Sequence, residues 1–206
     1  MPKLLFSLIL VFAGLYVHAQ NNQTDSLEQL LAKEKTDTGQ VILLAKFSRA
    51  MLFKSPEQAM VLAQKGLHLA RQVKFTKGEA ISLNGISSVY QVTGNYPKGL
   101  EAALESLKLA ETIHNDKILG ASLYNIGNIY NDQGDYSQAL TFKLRSKQLA
   151  EALKDESSLT TILLGIGDTY ETLDRLDSAR FTTCLGTLGD RRVTQHRLEY
   201  RVATQL

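Results

Sequence analysis

Ile126-Gly127-Asn128-Ile129-Tyr130-Asn131-Asp132-Gln133-Gly134-Asp135-Tyr136-Ser137-Gln138-Ala139-Leu140 is the stretch on which the fold turns. Just before and within it, Leu123, Ile126, Gly127 and Tyr130 recur at spacings of three and four, which marks one face of a helix. Gly134-Asp135 interrupts that pattern, because glycine accepts the left-handed conformation that ends many helices. The spacing then predicts a second helix from about Tyr136, with Ala139, Leu140, Leu144, Leu149 and Ala150 on its buried side. Asp155, Ser157 and Ser158 mark the next helix start. The unit is a pair of helices joined by a tight turn.

The pair recurs along the chain. Tyr90, Tyr130 and Tyr170 follow one stride of 40 residues, as do Gly94 and Gly134, Tyr96 and Tyr136, and Ala110 and Ala150. Residues 80–119 align with 120–159 without a gap and share 13 identities, several of them at positions expected in the core. Those include Leu83/Leu123, Ile86/Ile126, Tyr90/Tyr130 and Leu104/Leu144. A weaker first copy carries Ala59, Met60, Leu67, Leu69 and Ala70, and a fourth begins with Ile166, Gly167, Tyr170, Leu176 and Ala179. The expected units are 39–78, 79–118, 119–158 and a partial 159–181. In the first, Ser55-Pro56 supplies a capping hydroxyl and then a proline where its missing N–H costs nothing.

The spacing Ile126-Gly127, Tyr130, Gly134, Tyr136, Ala139-Leu140 resembles the tetratricopeptide repeat, with a longer unit than usual. The chain departs from that pattern at Ser87, Gly99 and Asp174, and the resemblance covers about residues 40–181. It implies an all-α, right-handed superhelical solenoid of antiparallel helix pairs, and a non-catalytic module that binds a protein or peptide. In such a solenoid the first helix of each pair lines the concave face. The residues placed there are Asn84, Ser88 and Gln91, then Tyr124, Asn128 and Asn131, then Leu164, Asp168 and Glu171. Amide ladders of this kind can hydrogen-bond an extended backbone, and the same polar row also reads as a solvated helix face.

The two ends carry different signals. Lys3, the apolar run Leu4 to Val17 and Val17-His18-Ala19 read as a signal peptide over 1–19, cut between Ala19 and Gln20, with an uncleaved anchor as the alternative. The mature chain is therefore expected outside the cytoplasm, in the periplasm. Residues 20–38 read as a capping helix, with Asp25 and Glu28 as a capping box. Asp25-Ser26-Leu27 with Leu30-Leu31, and Asp37-Thr38 with Val41 and Leu43-Leu44, resemble the lead-in of exported repeat regions in Bacteroidota signalling proteins. There the repeats precede a membrane helix and a histidine-kinase or regulator module. That likeness implies a sensory or scaffolding part, or a truncated relative whose output module is missing. Past Phe181 the periodicity is lost: Thr187, Gly189 and Asp190 stand where apolar residues are due. Six of the nine arginines fall between Arg175 and Arg201, and no lysine follows Lys154. Residues 182–206 are expected to be either a foreign tail or a divergent cap.

Chemistry is sparse. The net charge of +2 gives no global field for nucleic acid or an anionic membrane, and the basic tail has no stacking aromatics or motif. Contact with a membrane is expected only through an uncleaved leader or a missing C-terminal segment. Cys184 is the single cysteine, so neither an internal disulfide nor a thiolate metal cage is available. His18, His68, His114 and His196 share no ligand spacing. Gly165-Ile166-Gly167 begins like a phosphate loop but lacks the third glycine and a strand before it. No catalytic residue, metal site or cofactor is expected; oligomeric state is open.

Overall fold

The computed structural model describes residues 29–172, so the leader, the proposed Asp25–Glu28 box and everything from 173 onward lie outside the described residues. Residues 29–33 are helical. Seven further helices follow: α1 Asp37–Met51, α2 Pro56–Gln72, α3 Thr76–Val92, α4 Tyr96–Thr112, α5 Asp116–Asp132, α6 Tyr136–Ala152 and α7 Glu156–Thr172. No strand occurs among the described residues. The chain is an all-helical solenoid of antiparallel pairs.

Capping fixes where most of these helices begin. The side chains of Thr36, Ser55, Asn95, Asn115 and Asp135 each accept from the backbone N–H three residues on. Asp155 does the same for Ser158, at 3.1 Å. Phe75 offers no such group, and α3 starts without a side-chain cap. The turns within the second and third pairs use Gly94 and Gly134 at φ +77° and +83°. Turns between pairs place Lys74, His114 and Lys154 in the same left-handed region, at φ 54°, 50° and 54°. After each of these five turns one N–H closes back five residues, as Asn95 does to the Tyr90 carbonyl and Asp155 to the Ala150 carbonyl.

The first pair is built differently. Its turn is Leu52-Phe53-Lys54-Ser55, one residue longer than Thr93-Gly94-Asn95, and it contains no left-handed residue. Although that turn is longer, α1 ends early and the pair as a whole is one residue short. Ser48 meets the Ala59 carbonyl 11 residues on, where Gly127 lies against the Ala139 carbonyl 12 residues on, so Leu44 aligns with Leu83, Ser48 with Ser87 and Arg49 with Ser88. Phe53, at the tip, is 83% exposed.

Packing follows a division of labour. First helices α3, α5 and α7 bury bulk: Leu83, Ile86 and Val89; Leu123, Ile126 and Ile129; Ile162, Leu163 and Ile166. Second helices α2 and α4 bury small residues: Ala59, Ala63, Gly66 and Ala70; Gly99, Ala103, Ser106 and Ala110. Small residues let neighbouring helices come close, and Ser106 and Ser146 use that proximity to donate to the Ala80 and Gly120 carbonyls at 2.8 and 2.7 Å. Tyr130 stacks on Phe142 with centroids 5.5 Å apart. One sequence expectation fails here. Leu104 and Leu144, expected in the core, are 46% and 41% exposed, because the buried row of α6 is Ala139, Lys143, Ser146 and Ala150. The buried line passes through residue 143, and Leu144 points one step round the helix.

Candidate functional site

Helices α1, α3, α5 and α7 pack side by side as a first row, and α2, α4 and α6 lie behind them. The face of the first row carries the sequence-selected residues. Asn84, Ser88, Gln91, Tyr124, Asn128 and Asn131 are half-buried, whereas Asp168 and Glu171 are exposed.

Bonds between adjacent first helices organise several of them. The Asn125 amide donates to both the backbone oxygen and Oδ1 of Asn84, at 3.1 and 3.3 Å. Gln91 donates to Asp132 Oδ2 at 2.8 Å, and Thr169 Oγ1 meets Asn131 Oδ1 at 2.9 Å. Tyr124 reaches from α5 to the Thr161 carbonyl of α7 at 3.2 Å, and Asn128 hydrogen-bonds its phenol. Burial pushes the Tyr124 phenol above its ordinary pKa. The tyrosine fits because residue 165 is glycine: a Cβ there would sit 2.6 Å from the hydroxyl. Ser88 stays local and donates to the Asn84 carbonyl at 3.0 Å. The structure thus links Tyr124 and Asn131 from α5 to α7, with Asn128 bonded to Tyr124 within α5 and Asn84 and Gln91 tied to α5 from the other side.

The sequence reading missed the group beneath this cluster. Lys143 belongs to the second row but is only 2% exposed. Its Nζ donates to the Gly165 carbonyl at 3.0 Å and to Thr169 Oγ1 at 2.9 Å, and lies 6.0 Å from the centre of the Tyr124 ring. Its stem passes Gly127, where a Cβ would meet Lys143 Cγ at 2.8 Å. Burial lowers the ammonium pKa to about 8, against the opposing pull of Asp168 and Asp132. The signal was available: at the common stride Lys143 stands where Ala63 and Ala103 stand, both wholly buried. A lysine in a row of alanines marks a local specialisation. Among the described residues no cluster of metal-ligating side chains occurs, and no helix is long and apolar enough to cross a membrane.

Comparison with known proteins agrees with this architecture. A search of curated protein sequences finds no match. Among solved structures, a Rap protein complexed with competence and sporulation factor is similar at TM-score 0.71 and 17% identity, over 86% of this chain and 52% of that one. Aspartyl phosphate phosphatase F from Bacillus subtilis is similar at TM-score 0.65 and 18% identity, over 81% of this chain and 44% of that one. A Podosopora anserina kinesin light chain protein with nearly identical TPR-like repeats gives TM-score 0.54 and 14% identity, over 84% and 90%. The chain spans about half the length of the first two. At such identities the likeness is one of fold. The sequence itself matches the tetratricopeptide repeat over residues 78–152 and 118–182, together half of the chain, and the protein belongs to that family.

Proposed function

We propose that the chain is a non-catalytic module that binds a protein or peptide along its first-row face, as the exported sensory or scaffolding part of a bacterial signalling protein. The observation that carries the binding role is the amide row Asn84, Gln91, Asn128 and Asn131: bonds between helices hold Asn84, Gln91 and Asn131, and Asn128 is tied to Tyr124 on its own helix. A side-chain amide offers two donors and an oxygen with two lone pairs, so one internal partner leaves capacity for a ligand backbone. Rigid placement also lowers the ordering cost of binding. Membership of the tetratricopeptide family supports the same role. The signalling context and export rest on the residues of the leader and the 25–44 segment.

The test is recovery of partners from periplasmic extract by the immobilised mature chain and by the Asn128→Ala, Asn131→Ala double variant. Loss of specifically retained partners with unchanged helicity is expected. Equal recovery by the two proteins removes the first-row face from the reading. For the signalling context the informative observation is the DNA downstream. A membrane helix followed by a kinase or DNA-binding module is expected, and a stop codon in a well-kept gene points to a free-standing scaffold instead.

A further inference from the structure

Charge is not spread evenly over the two rows of helices. In the first row α1 carries Asp37, Lys46 and Arg49, for a net +1. Helix α3 balances Lys77 with Glu79, and α5 sets Asp116 and Asp132 against Lys117, for −1. Helix α7 carries Glu156, Asp168 and Glu171 with no lysine or arginine, for −3. The sequence +1, 0, −1, −3 falls steadily along the stack. The second row shows no such order, with +1, −1 and +2 for α2, α4 and α6.

The trend is drawn out on the candidate face itself. With the one-residue offset of α1 applied, a single register position holds Arg49, Ser88, Asn128 and Asp168 on four successive helices. Arg49 and Asp168 are exposed, and neither forms an ion pair among the described residues. One turn on, the same row ends in Gln91, Asn131 and exposed Glu171. Both end charges act on one group in the middle: Arg49 lowers and Asp168 raises the pKa of the Tyr124 phenol. Both ends of the row thus lie within electrostatic reach of α5.

We propose that the occupant of this face is an extended peptide segment of mixed charge, lying in one fixed direction, with an acidic residue over α1 and a basic residue over α7. This rests on the peptide-binding reading above and adds the chemistry and polarity of its ligand. A uniformly acidic or uniformly basic segment would meet repulsion at one end, which is how charge patterns exclude wrong partners. Adjacent packed helices lie about 8–10 Å apart, so the three steps from α1 to α7 span at most roughly 30 Å. At about 3.3 Å per residue that separates the two ligand charges by roughly six to nine residues, the curve of the stack favouring the lower figure.

The test is selection from a displayed library of random twelve-residue peptides on the mature chain, on Arg49→Glu and on Asp168→Arg. Both positions are exposed, and circular dichroism checks that the helices are retained. The parent should enrich peptides with one acidic and one basic residue in constant order and at that spacing. Arg49→Glu should replace the acidic preference with a basic one and leave the other end alone; Asp168→Arg should do the reverse. The parent's best peptide should bind Arg49→Glu about tenfold more weakly at low salt, with the loss shrinking as salt rises. Enriched peptides without charge order, or with an order that the substitutions do not move, overturn the polarity and leave peptide binding standing. No enrichment on any of the three proteins overturns both.

Discussion

At the scale of the residue, Lys143 is the side chain that the repeat does not explain. Its ammonium is buried where the equivalent positions hold alanine, and its two acceptors do not depend on it. Thr169 keeps a hydroxyl partner in Asn131 and in the Gly165 carbonyl without the lysine. A buried cation replaced by an apolar side chain of similar length removes the desolvation cost without leaving an orphan, so Lys143→Met should stabilise the protein at pH 7 by about 1–3 kcal/mol. The pH dependence has a definite sign. The folded-state pKa is about 8, below the ordinary lysine value, so the unfolded chain holds the proton more tightly. The penalty is complete below pH 8 and is relieved as pH rises from about 8 towards the unfolded value near 10.4. Denaturant titrations of parent and variant should therefore converge over that window. A constant gap between the two curves would show that the cation is not desolvated.

Helices and turns show what the sequence could and could not reveal. Ser55-Pro56, Gly134-Asp135 and the start near Tyr136 were legible because each is a local backbone requirement written in one or two residues. The exposed Leu104 and Leu144 were misread because leucine at a conserved stride looks like core, whereas the buried line of these helices runs through small residues. Lys143 was missed for the converse reason: a charge is read as surface unless its register is compared with Ala63 and Ala103. The one-residue shortfall of the first pair was hidden because α2 keeps the common stride and only α1 moves. Other turns carry a cost that the sequence pattern conceals. His114 adopts φ 50° between α4 and α5, a conformation disfavoured by its Cβ by about 1–2 kcal/mol, partly offset in glycine by greater unfolded-state entropy. His114→Gly should thus raise stability by about 0.5–1 kcal/mol, seen as a higher thermal midpoint. A lower midpoint would mean that the imidazole makes a contact worth more than the strain.

On the scale of the whole molecule, substantial contacts join only neighbouring helices of the stack: each first helix touches the next first helix and the second helices on either side of it. Stability in such an array is a sum of unit terms and nearest-neighbour terms, so damage should spread only as far as those interfaces. Ile126 lies at the middle of α5 and is fully buried, and truncating it to alanine should cost about 2–5 kcal/mol. Amide hydrogen exchange in Ile126→Ala should accelerate most in α5 and in α4 and α6, the helices packed most closely against it, and least in α1 and α2, which do not pack against it. That asymmetry bears on binding as well as on stability. The basic end of the first row is carried by α1 and the acidic end by α7, so loosening one side of the stack alters the distance between the two charges while their identities stay fixed. Equal acceleration in all seven helices would instead make the stack one cooperative unit, and the spacing between Arg49 and Asp168 would then be set as rigidly as the fold itself.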